Sequence, residues 1–128
     1  MRAFGKSSLA AALLVFTAGS ALAEQNPRGT WMRDDGNARV KIEPCGGDLC
    51  ATNVWIKDTS GGEEVGDRLV MSVKPVDDNT LDGSAYDAKR DMNFKIKIDV
   101  SDNSLTTRGC VVGGLLCKSM GWSKVGGE

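Results

Sequence analysis

The chain has 128 residues, contains no histidine, and carries 16 basic against 17 acidic residues, for a net charge of −1. Charges of both signs are interspersed, so nucleic acid and anionic membrane surfaces are poor candidates as partners. The lack of histidine excludes Ser-His and Cys-His catalytic triads and removes the commonest metal ligand.

The first 23 residues have the pattern of a secretory signal peptide. Arg2 and Lys6 form a basic leader, Leu9–Ala18 is an apolar run, and Ala21-Leu22-Ala23 is a small-residue cleavage pattern. The run is shorter than the roughly 20 residues that a membrane-spanning helix needs, and no later run is long enough either. We therefore expect cleavage after Ala23, a single mature domain over residues 24–128, and location in the periplasm or outside the cell.

Short segments with strand character follow, separated by turns rich in Gly, Asp and Asn. The predicted strands are Thr30–Arg33, the two arms of a hairpin over 37–57, and then Arg68–Lys74, Thr80–Tyr86, Met92–Val100, Ser104–Cys110 and Lys118–Val125. About eight strands with turns between them, and no amphipathic helix, predict an all-β fold. We expect a small antiparallel up-and-down β-barrel, because closure removes exposed sheet edges.

Alternation of apolar and polar residues assigns faces within these strands. In the hairpin over 37–57, the pattern predicts Val54 and Ile56 on one face and Trp55 on the other. Gly83 is expected to weaken its strand, since glycine has no side chain to pack. The polar, glycine-rich segment 58–67 is predicted to be a mobile surface loop.

The four cysteines lie at the shoulders of two Gly-Gly turns. Cys45 and Cys50 flank the first turn, and Cys110 and Cys117 flank the second. Local pairing would staple each hairpin, but four cysteines allow three connectivities, and pairing between the hairpins stays open. A four-cysteine zinc site is a third interpretation, although the second spacing is wide for one. Export favours disulfides over metal binding.

The tip of the second cysteine hairpin is unusually apolar. Val111, Val112, Leu115 and Leu116 surround Gly113-Gly114, whereas loops normally face water. We expect the tip to fold back and plug one end of the barrel, because large exposed apolar patches are uncommon on soluble monomers. The alternative is a contact site for a partner protein.

The acidic residues give no readable catalytic or metal site. Asp78–Gly83 resembles the start of a calcium loop, but Lys89 stands where that loop requires a glutamate. No nucleophile–base pair can be read from the sequence either. We therefore expect no metal, no cofactor and no catalysis.

Two blocks of the sequence resemble an exported bacterial family, domain of unknown function 2147. The first block comprises Trp31, Asp35–Ile42, Pro44–Gly46, Leu49-Cys50 and Val54-Trp55; the second comprises Thr107–Val111, Leu116–Ser119 and Trp122–Lys124. The resemblance implies a lipocalin-like, calycin-type β-barrel. Gly29-Thr30-Trp31 is similar to the Gly-x-Trp that opens such barrels, and Lys124 is the candidate for the basic residue near the last strand. The family brings no established activity.

These features lead to two hypotheses for function. In the first, the barrel binds a small apolar or amphipathic ligand, lined by Met71, Phe94, Ile96 and Ile98 if that face points inward. The same four residues would equally serve as a filled core. In the second, the chain is an envelope interaction or structural protein that meets a partner through the 111–116 loop.

Overall fold

The chain forms one closed antiparallel barrel of eight strands. The computed structural model describes residues 26–111 and 113–126, so the predicted signal peptide lies outside the described residues. The strands are β1 (Gly29–Arg33), β2 (Ala38–Cys45), β3 (Asp48–Ile56), β4 (Arg68–Pro75), β5 (Thr80–Asp87), β6 (Met92–Val100), β7 (Ser104–Val111) and β8 (Leu116–Gly126). Each strand pairs with the next, and β1 pairs with β8. The predicted all-β, up-and-down barrel is confirmed. In the described part of the chain, no helix is long and apolar enough to cross a membrane.

Alternate residues of each strand point into the barrel and form its core, as the period of a β-strand requires. Trp31 and Ile98 are the largest side chains that are fully buried. The other buried apolar core residues are Ala38, Val40, Ile42, Met71, Leu81, Ala85, Ile96, Val100 and Leu105. The interior is therefore apolar over most of its length.

A β-bulge in the first hairpin changes the faces predicted there. Arg39 pairs with Trp55, but the next residue of β2, Val40, pairs with Asn53. Val54 is therefore an extra residue of β3 that has no partner on β2. Val54 is consequently exposed, whereas Ile56 packs against the core. The prediction that Val54 and Ile56 share a face is wrong, because strict alternation does not survive an inserted residue.

Two glycines flank Ile96 on the same face of the sheet, and their surroundings differ. Gly83 of β5 and Gly109 of β7 both pair with Ile96. A Cβ on Gly83 would overlap the carbonyl oxygen of Ser72 and lie 2.9 Å from Val73 Cα, whereas a Cβ on Gly109 would meet no atom within 4 Å. Gly83 thus allows β4 and β5 to approach closely, while Gly109 borders open space.

The disulfides are local, which settles the connectivity. Cys45 bonds to Cys50 and Cys110 bonds to Cys117. Cys110 and Cys117 are directly opposed across β7 and β8, but Cys50 lies opposite Glu43, so the first bond is diagonal. Each bond closes one hairpin between neighbouring strands, and the cysteines leave no zinc site.

Candidate functional site

The barrel encloses a cavity, which we call the lumen cavity, with a volume of about 510 Å³. Its apolar lining consists mainly of Trp31, Val40, Ile42, Met71, Phe94, Ile96, Ile98 and Leu105. Pockets that hold small molecules typically measure about 300–1,000 Å³ and are mostly apolar. The barrel is therefore not completely filled by its own side chains, and the space is of ligand size.

Trp31 is fixed from two sides near the start of the chain. Its indole Nε1 donates a hydrogen bond to the carbonyl oxygen of Pro27 at 2.8 Å, and this carbonyl is buried with it. Lys124 Nζ lies 5.4 Å from the centre of the Trp31 ring, within range of a cation–π interaction. These contacts hold the indole as one wall of the lumen cavity.

Charged side chains line one end of the cavity. In an up-and-down barrel successive connections alternate between the ends, so the β1–β2, β3–β4, β5–β6 and β7–β8 connections share one end, which we call the mouth. The charged lining residues are Arg33, Glu63, Asp67, Arg68, Asp87, Arg90 and Lys118. A cavity with an apolar interior and a charged entrance suits a molecule that has an apolar body and a polar end.

The β3–β4 loop (57–67) lies across the mouth and is bonded on the β1 side. Glu63 forms a two-pronged ion pair with Arg33, in which Arg33 Nη2 donates to Glu63 Oε1 at 2.8 Å. Asn37 Nδ2 donates to the same oxygen at 2.9 Å. Arg33 Nε meanwhile donates to both carboxylate oxygens of Asp35 at 3.0 Å. All three donor nitrogens of Arg33 are thus engaged.

The same loop is bonded on the β5–β6 side. Lys89 Nζ donates to Glu64 at 2.8 Å and to Asp67 at 3.0 Å. Arg90 donates to Asp87 at 2.9 Å and to the carbonyl oxygen of Gly62 at 3.2 Å. The segment that the sequence predicts to be a mobile loop therefore has bonds to both sides of the mouth.

These contacts shift the acid–base properties of the groups involved. The hydrogen bond from Arg33 is the main reason that the pKa of Glu63 is lowered from its ordinary value, and the same bond raises the pKa of Arg33. Arg33 also lowers the pKa of Asp35. Burial raises the pKa of Asp67, but hydrogen bonds from Lys89 and the Glu64 backbone outweigh it and leave that pKa lowered. Glu63 and Asp67 are hence held as carboxylates.

The four residues that the sequence singles out as ligand-lining are brought together. Met71, Phe94, Ile96 and Ile98 all border the lumen cavity. Phe94 and Lys118 also border a second space of about 350 Å³, whose other walls are Met92, Gly109, Val111, Leu116 and Cys117. Phe94 therefore stands between the lumen cavity and a recess beneath the β7–β8 hairpin.

The β7–β8 tip does not plug the barrel. Leu115 is 81% exposed and Leu116 is 63% exposed, while Val111 is half-buried. Val112 lies outside the described residues. The expected plug is wrong for these residues, because β7 and β8 stay paired up to Val111 and Leu116 and both leucines are exposed to solvent.

Sequence reasoning missed the charged residues of the mouth, although one signal pointed to some of them. Arg33 follows the buried Trp31 by two positions, and Asp87 follows the buried Ala85 by two. The period of a strand places each on the inner face. Glu63 gave no such signal, because it lies in a loop. Among the described residues, no group of three or more metal-binding side chains is close enough to hold an ion.

Comparison with known proteins assigns the family and supports the fold. No functionally curated protein matches the sequence. A redesigned β-barrel of known structure is similar with a TM-score of 0.50 and 15% sequence identity, over 84% of this chain and 94% of that one. At that identity the likeness concerns the fold alone. Residues 29–124 match the family described as "Uncharacterized protein conserved in bacteria (DUF2147)". Because that match spans most of the chain, the protein belongs to the bacterial DUF2147 family.

Proposed function

We propose that this barrel binds a small apolar or amphipathic molecule, with the apolar part in the lumen cavity and the polar part at the mouth. The observation that carries the proposal is a cavity of about 510 Å³ with an apolar lining and a charged entrance. Eight-stranded barrels are wide enough to hold one small ligand. A binding role is favoured over catalysis, since the chain contains no histidine to act as a general base.

The lipocalin-like assignment is part of this proposal. Support comes from Gly29-Thr30-Trp31 at the start of β1, together with Lys124 of β8 over the Trp31 ring at 5.4 Å. The two segments are far apart in the sequence and meet only because β1 and β8 close the barrel. We further propose that the protein is exported to the periplasm or beyond, and its two disulfides are compatible with an oxidising compartment.

Native mass spectrometry of the protein isolated from its own compartment tests binding directly. A co-purifying mass that leaves on denaturation supports the proposal and gives the class of ligand. The mass of the bare chain tests the expected cleavage after Ala23 in the same experiment.

A cavity-filling variant tests where binding occurs. Ala51 borders the lumen cavity, so Ala51→Phe should reduce the binding of an apolar fluorescent probe. Val76→Phe is the matched control, because Val76 is 60% exposed and lies in the β4–β5 turn away from the mouth. Equal binding by both variants, with folding intact, would contradict a ligand site in the lumen.

The exposed β7–β8 tip supports a second candidate function, an envelope interaction. Among the large apolar side chains of the described residues, Leu115 is the most exposed, at 81%. Leu115→Asp should abolish co-purification of a partner protein without changing the melting temperature, since the side chain contributes little to the core. Retention of the partner by the variant would argue against this role.

A further inference from the structure

The bonding of Arg33 suggests how the lumen recognises the polar end of a ligand. Arg33 is only 14% exposed and borders the lumen cavity, and its two terminal nitrogens are both taken by Glu63. A planar guanidinium binds a carboxylate through two parallel hydrogen bonds, which is the geometry that Glu63 adopts here. The carboxylate comes from a loop 30 residues further along the chain.

The charged side chains that border the lumen cavity carry a net charge of +1 while Glu63 is among them and +2 once it is withdrawn. Four cations border the lumen cavity (Arg33, Arg68, Arg90 and Lys118), against the three carboxylates of Glu63, Asp67 and Asp87. Within the described part of the chain, Arg68 and Lys118 form no ion pair with a carboxylate. Withdrawal of Glu63 would therefore leave a cationic entrance above an apolar cavity, which attracts an anion.

The loop is built so that Glu63 can be exchanged while the rest stays attached. Glu64 and Asp67 are bonded to Lys89, independently of Arg33. Gly62 precedes Glu63 with φ +100°, a conformation that glycine adopts without strain. The Gly62 carbonyl also accepts hydrogen bonds from Lys89 and Arg90, so Glu63 can leave Arg33 by rotation of its own side chain while the backbone before it stays attached.

We propose that Arg33 is the anion-binding residue of the lumen, and that Glu63 occupies it in the empty protein as an internal substitute for the ligand's head group. The ligand class is then an amphiphile with an apolar tail and a single anionic head, such as a carboxylate. Binding exchanges one carboxylate for another at the Arg33 guanidinium, and no covalent bond changes. This inference rests on the proposed binding function and specifies its ligand.

The test compares dodecanoate with 1-dodecanol as probes, which have the same tail but differ in head charge. Displacement of an apolar fluorescent dye gives the affinity of each. Glu63→Gln should strengthen dodecanoate binding about tenfold, equivalent to about 1.4 kcal/mol, and leave 1-dodecanol unchanged. Arg33→Lys should weaken dodecanoate selectively, because lysine keeps the charge but loses the two-pronged geometry.

Glu64→Gln is the matched control, since Glu64 pairs with Lys89 and does not border the cavity. Its affinity for both probes should equal that of the wild type. Asn37→Ala is a milder route to the same effect: it removes the hydrogen bond that steadies Glu63 and should strengthen dodecanoate binding to a smaller extent. Asn37→Ala can replace Glu63→Gln in the test if the Glu63→Gln variant does not fold.

The outcomes separate the two proposals. If both probes bind and no variant changes the ratio of their affinities, the Arg33 inference is wrong while the binding function stands. If neither probe binds to the wild type or to the Glu63→Gln variant, both are overturned. A gain for dodecanoate alone in Glu63→Gln supports both.

Discussion

Substitution of Gly83 by alanine should destabilise the barrel strongly, although alanine normally suits a strand better than glycine does. Gly83 has ordinary strand backbone, so the added methyl group introduces no φ strain. The obstacle is space: the new Cβ would overlap the Ser72 carbonyl oxygen and lie 2.9 Å from Val73 Cα. These are backbone atoms, which cannot rotate out of the way.

The size of the effect follows from the atoms that must move. Overpacking typically costs about 1–3 kcal/mol, and we expect about 3 kcal/mol because β4 itself has to shift. For a domain of this size each kcal/mol lowers the melting temperature by about 4–8 °C, so Gly83→Ala should melt about 12–24 °C lower. Thermal unfolding followed by circular dichroism, with the disulfides intact, measures this.

Gly109→Ala is the matched control for this experiment. Gly109 flanks Ile96 from the other side and faces the same interior, but its Cβ would meet nothing within 4 Å. Its melting temperature should stay the same or rise, because alanine reduces the entropy lost on folding by about 0.4–1 kcal/mol. Equal melting temperatures for the two variants would refute the explanation that β4 lies too close to β5 for a methyl group at position 83.

Three further predictions follow from the contacts described above. Trp31→Phe should cost about 1–3 kcal/mol in denaturant unfolding, because the buried Pro27 carbonyl loses its donor; an unchanged free energy would mean that another group replaces it. Replacing Cys110 and Cys117 together by serine should cost about 2 kcal/mol through the lost closure of a short loop, and equal stability of this variant and the wild type would contradict that loop-entropy account. Protonation of Glu63 should weaken its ion pair with Arg33. The pKa of Glu63 is lowered by Arg33, so the stabilisation from this pair is complete above the ordinary value of 4.5 and is lost as the pH falls through the lower pKa of the folded protein. Amide chemical shifts of Gly62 should change with a midpoint below 4.5, with a smaller change in Glu63→Gln; a midpoint above 4.5 would show that the sign is wrong.

The sequence by itself determined the strands and their order, and it favoured disulfides without deciding how the four cysteines pair. Period-2 alternation is a local property, so Met92–Val100 could be assigned as a strand from its own residues and is observed over the same bounds. Gly-Gly turns between cysteines likewise predict local hairpins, and both disulfides join neighbouring strands. The same rule places Phe94, Ile96 and Ile98 on one face of their strand, and the structure turns that face inward, where these residues and Met71 border the lumen cavity.

Only the tertiary structure decided the features that depend on how distant strands meet. The bulge that exposes Val54 arises from the pairing of β2 with β3, and the need for glycine at position 83 arises from how closely β4 approaches. The ion pair of Arg33 with Glu63 joins residues 30 positions apart across the mouth. No local pattern encodes such contacts, because they depend on the register and closure of the whole barrel. The predicted plug was wrong for the same reason, since β7 and β8 stay paired up to Val111 and Leu116 and leave Leu115 and Leu116 exposed.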